Sequence, residues 1–266
     1  LCQAQQKNKH KNFTADVRDY VIYWLKMDFS PEQIKGRADK NKAPCVSPER
    51  IYQYVWQDKK NGGDLYLHLR KQGKKYCNRG NKKAGRGHIP NRTDISQRPT
   101  VVDKKKRIGD LEIDLVIGKN HKGALLTIND RATGVLKMAH IKGKEAKDVE
   151  IMTKKLLEDW IPFIHTITSD NGKEFANHQN IAEYLGIDYY FARPYHSWER
   201  GANENLNGLV RQYFPKGTNF TNLDNEAVKK ADDILNNRPR KRHGYLTPNE
   251  VFAAAISNEG NVAFIT

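Results

Sequence analysis

The apolar positions of this chain change their period along its length. From Phe13 to Trp56 they recur every three or four residues. Val17, Tyr20, Val21, Trp24 and Leu25 make one face, which predicts a helix. Met27-Asp28-Phe29 breaks that face. Ser30-Pro31-Glu32-Gln33-Ile34 then supplies a Ser N-cap, Pro in the first helical position and Gln three residues after the cap. Similar grammar returns at Ser47-Pro48-Glu49-Arg50-Ile51, with Arg50 where the Gln stood, and opens a helix carrying Ile51, Tyr52, Val55 and Trp56. Two short capped helices after a longer one read as a helix-turn-helix or as a small helical bundle. From Ile108 the pattern shortens to alternation. Leu111–Ile117, Ala124–Ile128 and Val135–Ile141 predict three strands. Helix is expected over Glu145–Trp160, strand over 165–169, helix over Asn177–Leu185 and strand over Tyr189–Phe191. Trp198–Tyr213, Leu223–Asn236 and Pro248–Ile256 predict three closing helices. Such an order describes a mixed five-stranded sheet with helices on its faces.

Charge divides the chain at nearly the same point. The formal net charge is +15 over 266 residues. Residues 1–107 hold 26 Lys/Arg and 10 Asp/Glu, a balance of +16, and residues 108–266 hold 20 and 21, a balance of −1. A one-sided charge points to a polyanion-binding half joined to a near-neutral half with another task, and favours nucleic acid over a merely soluble basic surface. The expected organisation is a helical DNA-binding region at 1–62, a basic Gly-rich linker at 63–107 and an α/β domain at 108–266. The linker ends in Lys104, Lys105, Lys106 and Arg107, which can lie along a phosphate backbone.

The longest purely apolar run, Val251–Ile256, is far short of the ~20 residues that span a bilayer. No signal segment opens the chain. Cys2, Cys45 and Cys77 are scattered and odd in number, which argues against a disulfide framework or a zinc site and fits a cytoplasmic location.

The chemistry that remains is carboxylate chemistry. Asp110, Glu112 and Asp114 alternate along one strand and are expected to project from the same face, bordering a cleft. Alternation does not choose among them. Asp170 follows the strand 165–169, where ligands sit in open α/β sheets, although Asp-Asn-Gly is also a common turn. Glu204 lies in an Asn-rich stretch that packs little apolar surface. Arg211 stands seven residues on, two turns along the same helix, and Lys216 follows beyond Pro215; either a surface ion network or a metal ligand beside a phosphate clamp fits. Glu174, Glu199, His121, Lys122, His196 and Trp198 are candidates for surface, loop or DNA-adjacent roles.

Ile113-Asp114-Leu115-Val116-Ile117-Gly118, Thr168-Ser169-Asp170-Asn171-Gly172-Lys173-Glu174-Phe175, Arg200-Gly201-Ala202-Asn203-Glu204-Asn205 and Leu209–Gly217 occur in this order. Together they resemble the DDE transposases of bacterial insertion sequences, and most closely the insertion sequence thirty family. The 33 residues between Asp170 and Glu204 match that family's pattern. Asn236–Lys241, Thr247-Pro248 and Ser30–Ile34 extend the likeness over nearly the whole chain. Leu111 stands where the family commonly carries Trp. The family also carries a DNA-binding segment upstream of the matching stretch.

The resemblance implies an RNase H-like core with Asp114, Asp170 and Glu204 as catalytic carboxylates and metal ligands. It implies Mg²⁺-dependent strand cleavage and strand transfer, with two ions per site and Mn²⁺ as a substitute. Double-stranded DNA is the expected partner, bound by a homo-oligomer and contacted by Arg50, Lys104, Lys105, Lys106, Arg107, Arg211 and Lys216. A catalytically inactive regulator and a nuclease that cuts without joining remain as alternatives.

Overall fold

The structure, a computed structural model, describes residues 13–70, 89–193 and 201–263. The chain divides into two compact units, one holding residues up to 78 together with 238–247, the other holding 79–237 and the C-terminal stretch from 248.

The first unit contains α1 (Ala15–Lys26), α2 (Pro31–Lys40) and α3 (Pro48–Lys60). The caps form as the sequence dictates. Ser30 Oγ accepts from Gln33 N while Gln33 Oε1 accepts from Ser30 N, a reciprocal capping box. At α3, Ser47 Oγ accepts from Arg50 N, and the Arg50 guanidinium has no acceptor with which to return the bond. Val17, Val21, Leu25, Phe29, Ile34, Ile51 and Val55 form the core of this unit, closed by Leu65 and Leu69 around a 3₁₀ turn at Leu65–His68. Leu65 and Leu69 fall inside the stretch expected as linker. Residues 238–247 also belong here: Gln33 Nε2 donates to Pro239 O, and Tyr245 packs so tightly on Gly36 that a Cβ would lie 2.3 Å from its ring.

The second unit is built on one mixed sheet. Its strands are β1 (Thr93–Asp94), β2 (Asp110–Ile117), β3 (Ala124–Asp130), β4 (Leu136–Ile141), β5 (Thr166–Ser169) and β6 (Asp188–Phe191), in the spatial order β1-β6-β5-β2-β3-β4. The sheet therefore has six strands, not five. The extra one is a two-residue parallel pairing, Thr93 with Tyr190 and Asp94 with Phe191, too short to leave an alternation signal. β2, β3 and β4 form an antiparallel meander, and β5 and β6 run parallel to β2. This is the strand order of an RNase H-like core.

Helices cover both faces. On one, α5 (Ala146–Leu157) and α6 (His178–Leu185) pack on Leu111, Ile113, Leu115 and Ile167. On the other, α7 (Gly201–Tyr213) and α8 (Asn225–Asn236) contribute Leu206, Leu209, Val210 and Leu235 against Val116, Leu125, Leu136 and Met138. Strand β2 is thus covered on both faces, by Leu111, Ile113 and Leu115 on one side and by Val116, near its end, on the other, with the acids Asp110, Glu112 and Asp114 sharing the face of Val116. The short α4 (Thr100–Asp103) and the long α9 (Pro248–Ala263) complete the unit. Ile95 and Val102, also expected in the linker, are buried. Among the described residues, no helix is long and apolar enough to cross a membrane.

Candidate active site

Strand β2 carries all three alternating acids, and their surroundings separate them. Asp110 is 1% exposed and receives a bidentate Arg107 guanidinium, at 2.7 and 3.1 Å, with Thr166 Oγ1 donating at 2.9 Å. Glu112 is also 1% exposed and pairs with Arg131 Nη1 at 2.5 Å. These two do not border an open cleft, as alternation predicts. They are buried charges, retained because each has a guanidinium partner. Asp114 lies further along and is half-buried. Its Oδ1 accepts from Leu115 N at 2.8 Å and its Oδ2 from Asn207 Nδ2 of α7, also at 2.8 Å.

Asp170 follows the end of the neighbouring strand. β2 and β5 pair parallel as far as Glu112 opposite Thr168. Asp114 lies two residues further along β2, and Asp170 comes directly after Ser169, the last residue of β5. A turn fixes Asp170: Oδ1 accepts from Gly172 N at 2.9 Å, and Asn171 ties the loop down by donating to Ala192 O while accepting from Arg92 Nη1. Glu174 folds back over this turn. The Glu174 carboxyl occupies the space a Cβ on Gly172 would need, 2.5 Å from its carboxyl carbon. Burial, and after it the charges of Asp170 and Asp114, push the Glu174 carboxyl above its ordinary range. Glu174, expected at the surface, therefore sits within electrostatic reach of both aspartates.

Glu204 lies on α7, one turn before Asn207; its side chain lies outside the described residues. Arg200, His196, Trp198 and Glu199 lie outside them altogether. Among the described residues, no three His, Cys, Asp or Glu side chains form a metal-binding group.

The expected DNA contacts are dispersed. Arg211 donates from Nη2 to Ile117 O at 2.8 Å and from Nη1 to Phe214 O at 3.4 Å, so part of its fork holds backbone carbonyls rather than an acid. Lys216 and Lys104, Lys105 and Lys106 are exposed, Arg107 is committed to Asp110, and Arg50 is exposed on the first turn of α3. Sequence reasoning missed Asn207. One Asn in an Asn-rich helix carries no mark until the strand opposite it is known.

The comparisons now bear on this arrangement. The chain is 54% identical over 262 residues to the transposase for insertion sequence element IS4351 of Bacteroides fragilis, covering 98% of this chain and 80% of that protein. It is 32% identical over 253 residues to transposase InsI for insertion sequence element IS30A of Escherichia coli (strain K12), covering 91% of this chain and 65% of that protein. The chain belongs to the IS30 transposase family. This transposase is also 27% identical over 261 residues to a putative integrase ORF3 of Spiroplasma virus SpV1-R8A2 B, covering 96% of this chain and 79% of that one. No family model matches it. The crystal structure of the catalytic core domain of BIV integrase superposes with a TM-score of 0.45 at 21% identity, over 57% of this chain and 97% of that one. The transposase is an enzyme of the polynucleotidyl transferase type.

Proposed function

We infer that this transposase cuts and joins DNA strands at a site formed by Asp114, Asp170 and Glu204. The observation that supports the reading is the bond from Asn207, one turn after Glu204 on α7, to Asp114, on the strand that pairs parallel with the one Asp170 follows. The donor set suits a hard divalent cation: carboxylate oxygens, with an amide behind one of them. Two Mg²⁺ ions, with Mn²⁺ as a substitute, would stabilise charge on the attacking and leaving oxygens of a phosphodiester. The residues of the chain do the positioning. Asn207 and the Leu115 amide orient the Asp114 carboxylate, and the Gly172 amide holds Asp170. Glu204 supplies the third carboxylate from the helix that crosses β2.

The helical unit is the element that recognises DNA, with α3 as its reading helix. Glu49, Arg50, Gln53, Trp56 and Gln57 are exposed along it, opposite the buried Ile51 and Val55. The strongly basic stretch up to Arg107 adds sequence-independent attraction to phosphates. Because an element has two ends, the working form is a homo-oligomer with one protomer on each, acting in the bacterial cytoplasm. The test is incubation of the full chain with labelled duplexes carrying the ends of its element and Mg²⁺ or Mn²⁺. Nicked and joined products are expected; nicks without joined products would leave a nuclease, and neither would leave a DNA-binding regulator.

A further inference from the structure

Beyond the carboxylates, β2 runs into a hairpin tip, Gly118–Gly123. Asn120 and His121, its two central residues, have φ of 54° and 60°, and Lys122 N donates to Lys119 O. Left-handed backbone at both central residues is the geometry of a tight two-residue hairpin turn, and Asn and His adopt it more readily than most non-glycine residues. The tip is also tied to its surroundings. Gly118 N donates to Gly123 O, and Lys119 N donates to Thr218 O in the loop after α7. Phe220, fully buried, is wedged against both glycines: a Cβ on Gly118 would lie 2.9 Å from Phe220 Cβ, and one on Gly123 2.6 Å from Phe220 O. His140 Nε2 holds that same carbonyl, and Arg211 holds Ile117 O at the foot of the tip. Two loops are thus braced into one rigid ridge.

The ridge is one-sided in charge. Lys119, His121 and Lys122 on the tip and Lys216 on the neighbouring loop are all exposed, and residues 118–123 and 215–223 contain no acid. None of the three lysines makes an ion pair among the described residues. This occurs in a half of the chain whose overall balance is −1.

We propose that this double loop is a preformed binding site for the phosphodiester backbone of duplex DNA, taking Lys119, Lys122 and Lys216 as its phosphate contacts. The ridge deepens the reading of the chain as a transposase acting on DNA and rests on it. Lys119 follows Asp114 by five residues, at most about 17 Å at ~3.3 Å per strand residue. That corresponds to at most about five base pairs of rise along B-form DNA at ~3.4 Å each. The ridge therefore grips the flank of the duplex, away from the phosphate being cut. Its phosphate contacts are lysines, point charges that meet the backbone and carry no base-edge information, so these contacts take any sequence.

The experiment compares K119A/K122A/K216A with wild type and with a control, K147A/K155A/K230A, which removes the same charge from exposed positions on α5 and α8. Affinity is measured without divalent metal from 50 to 200 mM salt, on a 30-base-pair duplex of arbitrary sequence and on one carrying an element end. Three lost phosphate contacts lower the slope of log affinity on log salt by about 2.7, so wild type should lose about 40-fold more affinity across that range than the ridge variant. The control should keep the wild-type slope, and all three proteins should melt alike. A wild-type slope in the ridge variant, or an equal drop in the control, overturns the site, as does a drop confined to the element-end duplex. Cleavage plays no part in this measurement, so a protein that fails to cut would contradict the transposase mechanism while the ridge is still read.

Discussion

At the scale of single residues, three acids with the same spacing have two fates. Asp110 and Glu112 each meet a guanidinium, whereas Asp114 meets the amide of Asn207. The sequence shows the alternation but not these partners. Arg131 lies 19 residues beyond Glu112 and Asn207 lies 93 beyond Asp114, separations that only the folded sheet closes. The family resemblance selects Asp114, and its role in catalysis is the proposal that substitutions around it test. Asn207 spends Nδ2 on Asp114, and its buried Oδ1 has no hydrogen-bond partner among the described residues. A neutral amide that fixes one carboxylate oxygen should matter to rate more than to folding. Asn207→Ala is expected to lower single-turnover cleavage by at least tenfold while costing only about 1 kcal/mol of stability, the net worth of one hydrogen bond. Asn207→Asp, which sets a like charge against Asp114, should be slower still. Equal losses in rate and melting temperature for Ala, with activity per folded molecule unchanged, would make Asn207 merely structural.

At the scale of elements, capping grammar and hydrophobic period placed most helices and strands correctly. Ser30 and Ser47 start α2 and α3 where they should, because cap chemistry is local. Ends fared worse where the deciding contacts are distant. Helix was expected through Trp160, yet α5 stops at Leu157 and a 3₁₀ turn follows to Phe163, with Pro162 inside it. The strand β1 was invisible because two residues carry no period. Helix α8 shows a further long-range device. Asn236 accepts from Leu136 N and donates to Leu136 O, both at 2.8 Å, satisfying the outer edge of β4. One turn earlier on α8, Asp232 is pushed up to about 7 by burial first and Asp233 second, against the opposing pull of Lys137 and Lys229. An acid whose pKa is raised in the fold binds its proton more tightly there than in the unfolded chain. Its contribution to stability is therefore present at low pH and fades as pH rises from about 4 through about 7. Asp232→Asn should remove that dependence, so the variant gains on wild type across this window in denaturant titrations. Parallel stability curves from pH 4 to 8 would show that the Asp232 carboxyl titrates as an ordinary surface acid.

At the scale of the whole molecule, charge divides the sequence at Arg107, which lies inside the second compact unit, and the compact units themselves are not contiguous in sequence. Residues 238–247 pack with the N-terminal helices, and Ile95 and Val102 are buried in the unit that holds the sheet. No local property of Pro239 or Tyr245 announces that they pack on α2. The central claim is that Asp114, Asp170 and Glu204 act as one divalent-ion site. Its most direct test is single-turnover cleavage of an element-end duplex by Asp114→Asn, Asp170→Asn and Glu204→Gln, each measured over a range of Mg²⁺ and Mn²⁺ with DNA binding and melting temperature recorded on the same preparations. Each substitution removes a charge with little change of shape. The account predicts that all three lose cleavage by at least a thousandfold, about 4 kcal/mol at 1.36 kcal/mol per tenfold, while binding DNA and melting close to wild type. Near-normal cleavage by any one of them would contradict the triad at that position.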